Sequence, residues 1–231
     1  MRFKNDYRII LSQRGETVIL HGPPGTGKTE SVYQIARKTG RNIFKVDISE
    51  SKSKWFGESE KLIKDIFARY KSTAKKQPLL PILLFNEADA LLSTRRESAS
   101  NVSQTENAIQ NILLEELENF EGIFIATTNL VKNLDPAFER RFLFKIKINN
   151  PTMSVKQKIW QNRLSFLSPV QTNTLAENYS LSGGQIENSC RKIMLQEVIT
   201  GTKIDLREIS GFCEVELFGG TPKVQRIGFG R

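Results

Sequence analysis

One stretch constrains this chain more than any other: "TVILHGPPGTGKTESVYQIARK", residues 17–38. A β-branched apolar run ends in Gly22, Pro23, Pro24, Gly25, Thr26, Gly27, Lys28 and Thr29, and a helical pattern follows at once. The spacing is G-x-x-x-x-G-K-[ST] between a strand and a helix, the arrangement of a phosphate-binding loop. Glycines let successive backbone N–H groups turn inward and form an anion nest. The helix that follows directs its positive end at the same point. Lys28 is placed to reach the β- and γ-phosphates of a nucleotide, and the Thr29 hydroxyl to ligate Mg²⁺.

A loop of this kind implies a parallel sheet, and the chain supplies one. "TVILH" (17–21), "NIFKVDI" (42–48), "PILLF" (81–85), "GIFIATT" (122–128) and "FLFKIKI" (142–148) read as buried strands. Helical patterns lie between them, in "KTESVYQIARKTG", "ESEKLIKDIFARYKSTAKK" and "TENAIQNILLEELENF". The polar segment 95–106, "RRESASNVSQTE", reads as an exposed loop. Strand–helix alternation predicts an α/β fold with helices on both faces of the sheet. The pattern changes near Pro151, after which only helical stretches follow.

A phosphate loop needs a neighbouring strand that ends in acid, and "ILLFNEAD" fits that place. In such sites the first acid helps hold Mg²⁺ through water and the second polarises the attacking water, so Glu87 takes the general-base role. The first position is an amide, Asn86. It can accept a hydrogen bond from a metal-bound water but brings no charge, which predicts weaker Mg²⁺ retention and slower turnover.

Composition excludes other chemistries. His21 is the only histidine and Cys190 and Cys213 the only cysteines, too few for an ordinary zinc site or for a second histidine-based machine. The two thiols read as reduced and partly buried. No apolar run approaches the roughly 20 residues of a membrane span, and the start "MRFKNDYRII" lacks a secretory core; a cytoplasmic protein is expected. The net charge of +9 permits a polyanionic partner without requiring one.

With three further segments these motifs resemble the AAA+ ATPase family. "SKWFGESEKLIKDIF" (53–67) is similar to the pore-loop segment of the branch containing katanin and spastin. "ATTN" (126–129) resembles the sensor-1 strand, whose polar residue, here Asn129, helps orient the attacking water. "NLDPAFERRF" (133–142) resembles the second region of homology, whose paired arginines, here Arg140 and Arg141 at the start of the last strand, reach a neighbouring subunit's ATP. The resemblance implies strand order 5-1-4-3-2, with residues 1–150 as the large nucleotide-binding domain, 151–215 as a small helical lid and 216–231 as a flexible basic tail. It implies ATP or ADP with Mg²⁺ as cofactors, Thr29 and (through water) Asn86 as metal contacts, and Lys54, Trp55, Phe56 and Gly57 as a pore loop ahead of a helix. "SGGQIENSCRK" (182–192) takes the place of the family's Ser-Gly-Ala-Asp segment, which sets Gly184 and Gln185 near the nucleotide and leaves Arg191 as a sensor arginine or a plain surface one.

Two departures bear on function. Asn86 replaces the usual Asp, and only 21 residues precede Gly22, fewer than family members use for the adenine-side wall and a recruiting domain, as in a truncated product. The leading expectation is an ATP-driven remodeller that threads a protein substrate through a head-to-tail hexameric ring. The alternatives are a DNA-directed ATPase of the helicase-loader or transposition-helper kind, and a nucleotide-switched scaffold with weak hydrolysis.

Overall fold

The computed structural model describes residues 15–47, 55–94, 101–129 and 133–217. The described chain falls into two compact units. One runs to Pro23 and resumes over Lys28–Ile148; the other joins Pro24–Gly27 to Asn149 and onward.

The first unit is built on five parallel strands, β1 (Glu16–His21), β2 (Ile43–Asp47), β3 (Ile82–Asn86), β4 (Ile123–Thr128) and β5 (Phe144–Lys147), in the order β2-β3-β4-β1-β5. This is the expected order read from the other edge. Parallel neighbours cannot be joined by tight hairpins, so each crossover carries helix. These helices are α1 (Lys28–Thr39), α2 (Trp55–Ala74), α3 (Asp89–Leu92), α4 (Asn101–Glu118) and α5 (Pro136–Arg141).

Two apolar layers hold the sheet. On one face Val32 and Ala36 of α1 pack with Leu20, Ile82, Leu84 and Ile125. On the other, α2 and α4 close over an aromatic cluster of Phe67, Tyr70, Phe85, Phe120 and Phe124, all at most 2% exposed. Phe85 and Phe124 meet edge to face at 5.0 Å, and Tyr70 and Phe120 lie 5.1 Å apart. Such geometry adds to the area term for burying rings. The Tyr70 hydroxyl donates to the Pro81 carbonyl at 2.8 Å, so its polar end is satisfied in the core.

Several elements differ from the sequence reading. β5 was expected to be buried, but it is an edge strand, with Phe144 and Ile146 exposed. The segment 95–106 is helical from Asn101 onward, and residues 95–100 lie outside the described residues. A polar helical turn carries no apolar period, so composition alone reads it as loop. The backbone of Trp55–Gly57 forms the first turn of α2 rather than a loop ahead of it. Gly57 is thus a helical glycine, which costs roughly 1 kcal/mol relative to alanine. Arg140 and Arg141 occupy the last turn of α5 and do not begin a strand. Asp135 caps that helix by accepting from the Ala137 N–H, and Pro136 opens it, which commits the segment to a helical turn.

The second unit contains α6 (Met153–Arg163), α7 (Pro169–Asn178), α8 (Gly183–Thr200) and α9 (Leu206–Glu216) around a core led by Trp160, Leu175, Ile186, Ile193 and Ile209. Both cysteines are free and buried in this core, where burial pushes each thiol up to about 12. Nearly all of the expected basic tail lies outside the described residues.

Candidate active site

Parallel register brings four strand ends to one edge of the sheet. His21 pairs with Thr128 and Asp47 with Asn86. Open α/β sheets place their ligands at this carboxyl edge, where the chain leaves the strands with free side chains and turning backbone.

β1 ends in the loop. Gly22 has φ +151°, and a Cβ there would collide with the carbonyl oxygen of Ile148. Gly27 turns at φ +92°, the conformation that directs backbone N–H groups inward before α1 begins. Lys28 is buried, and its ammonium donates to the carbonyls of Gly22 at 2.9 Å and Pro23 at 2.7 Å and to Asn129 Oδ1 at 2.8 Å. Burial lowers its pKa, while the Asp89 and Glu87 carboxylates pull it back up. A phosphate oxygen competes well for these N–H groups, because it adds a full negative charge that the carbonyl and amide oxygens lack. His21, beside it, is also lowered, by burial first and then by Lys147 and Lys28, so it adds no positive charge of its own near neutrality.

Thr29 joins the loop to β3. Its hydroxyl donates to Asn86 Oδ1 at 2.7 Å, and the Thr127 hydroxyl donates to the same oxygen at 3.0 Å. The Asn86 amide donates from Nδ2 to Asp47 Oδ1 at 3.1 Å. Glu87 follows in a left-handed turn, φ +54°, with its N–H on Thr127 Oγ1 at 3.1 Å. Its side chain is exposed on the edge where the loop lies. Asp89 ties the next turn down: its Oδ1 accepts from the Thr128 hydroxyl at 2.5 Å and from the Asn129 N–H at 2.9 Å.

This donor set fits a nucleotide with Mg²⁺. The loop offers inward N–H groups and an ammonium to phosphates, and the Thr29 hydroxyl offers a hard oxygen to the cation, with Asn86 and then Asp47 behind it. Among the described residues there is no group of three His, Cys, Asp or Glu able to hold a metal alone. Mg²⁺ bound with few carboxylates, phosphates and water needs no such group.

Comparison with known proteins gives the family. The model of the ATPase family associated with various cellular activities (AAA) matches residues 18–150. The chain belongs to the AAA family of ATPases. It is 32% identical over 187 residues to fidgetin-like protein 1 of Drosophila melanogaster, covering 75% of this chain and 34% of that protein. It is 30% identical over 242 aligned residues to the proteasome-associated ATPases of Mycobacterium tuberculosis (strain H37Rv) and Mycobacterium bovis (strain BCG / Pasteur 1173P2), covering 96% of this chain and 38% of theirs. This AAA chain therefore spans little more than a third of the length of these relatives.

The sheet edge gathers Lys28 with Asn129, and Thr29 with Asn86 and, through Thr127, with Glu87. In the second unit the Gly184 N–H donates to the Gly25 carbonyl at 2.8 Å. Gln185 is engaged otherwise: its side chain caps α8 through the Ser182 N–H at 2.9 Å and donates to the Glu216 carbonyl at 2.7 Å. Arg140 and Arg141 are exposed, and the Arg141 guanidinium forms an ion pair with Glu118. Lys54 and the side chains of Trp55 and Phe56 lie outside the described residues. Sequence reasoning assigned no role to Asp47, Asp89, Thr127 or Thr128. Asp89 had a signal in "NEAD", two residues past the base; the others are visible only once strands are paired.

Among the described residues no helix is long and apolar enough to cross a membrane.

Proposed function

We propose that this chain hydrolyses ATP at the carboxyl edge of its sheet and uses the cycle, in a head-to-tail ring, to move a polypeptide past Lys54, Trp55, Phe56 and Gly57. The observation that carries the hydrolysis reading is the pair of hydrogen bonds made by consecutive loop residues, Lys28 to Asn129 and Thr29 to Asn86, with exposed Glu87 next to Asn86 in the chain. Lys28 and the loop N–H groups hold the phosphates. Glu87 takes a proton from water as its oxygen attacks the γ-phosphorus; the bond from that phosphorus to the bridging oxygen breaks, leaving ADP and phosphate. Mg²⁺ held at Thr29 would supply neutralisation of the phosphate charge. Asn129, close to Lys28, aligns the water, and Arg140 and Arg141 serve a neighbour's site.

The threading part rests on the resemblance of residues 53–67 to a pore-loop segment and on the name of the mycobacterial relatives, which associates those proteins with a proteasome. A second reading, a nucleotide-switched scaffold, draws on Asn86 alone. Phosphate release measured with and without an unfolded polypeptide decides between them. The natural chain should turn over ATP and respond to the polypeptide. Lys28→Ala should lose most ATP affinity, and Trp55→Ala should keep basal turnover while losing the polypeptide response. A chain that binds ATP without turnover at any Mg²⁺ concentration is a switch, and a response to DNA alone would point to the DNA-directed class.

A further inference from the structure

Asn86 occupies the place of a carboxylate, so a site built on β3 alone is short of one negative charge. That charge is present one strand away. The register of β2 against β3 sets Asp47 beside Asn86, and Nδ2 of the amide donates to Asp47 Oδ1 at 3.1 Å. A carboxylate only accepts, so this bond decides which way the amide faces. Oδ1 is turned towards Thr29 and Thr127, whose hydroxyls both donate to it, at 2.7 and 3.0 Å. The Thr29 hydroxyl thus commits its proton to Asn86 and keeps its lone pairs for a cation. With the amide reversed, NH₂ would face Thr29, and the hydroxyl would spend on it a lone pair that the cation needs.

We propose that Asp47 does the work of the missing acid: it orients the Asn86 amide and supplies, from the neighbouring strand, the negative charge that retains the divalent cation of ATP. The inference rests on the ATPase reading above. Asp47 is a positioning residue in this scheme, acting through Asn86. Carboxylates that hold the ligands of a metal in place behave in this way elsewhere, and losing one typically weakens metal affinity about 10- to 100-fold. Lys45 also meets Asp47, with Nζ 2.7 Å from Oδ2, the other carboxylate oxygen. Both side chains are part-exposed, at 38% and 24%, and ion pairs in that setting hold weakly, so the ammonium does not commit the carboxylate.

The test measures cation affinity separately from turnover. ATP binding is followed by calorimetry in EDTA and then across a Mg²⁺ titration, and Mn²⁺ binding to the ADP complex by electron paramagnetic resonance. The proteins are the natural chain, Asp47→Asn, Asp47→Ser, and the exchange variant Asp47→Asn/Asn86→Asp. Both single variants should bind ATP normally in EDTA and need roughly tenfold more Mg²⁺ or Mn²⁺ for half-saturation. The exchange variant should return close to the natural requirement, because the charge is restored on β3 and an amide still faces it from β2. Single variants with an unchanged cation requirement overturn the proposal, as does an exchange variant no better than Asp47→Asn. Normal ATP affinity alongside either result leaves the ATPase reading standing; a natural chain that binds no ATP under any condition defeats that reading and the proposal with it.

Discussion

Glu87 holds a backbone conformation that disfavours any side chain. Its φ of +54° lies in the left-handed region, the one such non-glycine case among the described residues. That conformation costs roughly 1–2 kcal/mol for an L-residue. Thr127 holds the turn from both sides, accepting the Glu87 N–H on its hydroxyl at 3.1 Å and the Ala88 N–H on its carbonyl at 2.9 Å. The turn buries Ala88 completely and leaves Glu87 exposed. A strained residue at a candidate general base is a common trade of stability for placement. Glu87→Gly should therefore be more stable than Glu87→Ala by about 1 kcal/mol in urea unfolding, while both bind ATP and neither turns it over. Equal stability would show that the conformation is not strained. That Glu87 follows a buried strand was legible from "ILLFNEAD". Its backbone was not legible, since glutamate carries no sequence signal for positive φ. Asp47 was hidden for a different reason: its closeness to Asn86 is a property of strand pairing, which a linear reading does not contain.

Elements were legible where an apolar run was long enough to show its pattern. β3 is buried at Ile82, Leu83, Leu84 and Phe85, and such a run has no exposed alternative. α3 and α5 were missed, being four and six residues long and too short to show a helical period. The start of α8 was visible in sequence but was read for another purpose. "SGGQ" carries a Ser-x-x-Gln capping box, and both bonds are present: Ser182 Oγ accepts the Gln185 N–H at 3.3 Å, and Gln185 Oε1 accepts the Ser182 N–H at 2.9 Å. The same glutamine fastens α8 to the end of α9 through the Glu216 carbonyl at 2.7 Å. With its polar atoms committed in this way, Gln185 acts first as a structural residue of the helical unit. Gln185→Ala should destabilise the chain by about 1–2 kcal/mol, since two bonds of roughly 1 kcal/mol are lost. ATP affinity, measured well below the unfolding midpoint, should fall by less than about threefold, a difference under 1 kcal/mol. A larger loss of affinity without loss of stability would return Gln185 to the nucleotide.

In the ring proposed above, a single chain is incomplete. Arg140 and Arg141 stand exposed on the last turn of α5. Arg141 pairs with Glu118, both side chains being more than a third exposed. A surface pair of this kind contributes about 0–1 kcal/mol, so giving it up for a neighbour's phosphate costs little and gains a charge-assisted contact. The net charge of +9 opposes association of like chains, which moderate salt relieves. Turnover per chain should therefore rise with protein concentration, and more readily at moderate than at very low ionic strength. Catalysis shared between subunits has a sharper test in mixed rings. Lys28→Ala chains keep their arginines but cannot hold ATP. Arg140→Ala/Arg141→Ala chains hold ATP but lack the groups their neighbour needs. Each preparation alone should be nearly inactive. In a random equal mixture, a working site requires a double-Ala chain to hold ATP and a Lys28→Ala chain to present arginines to it. About one head-to-tail interface in four meets that condition. Activity should recover to about a quarter of the natural level, or less where assembly is partial. Light scattering or cross-linking must show mixed oligomers in the same sample. No recovery in their presence would place the arginines' work within their own chain, because the cradle and the arginines would then both be intact in the ring yet unable to cooperate.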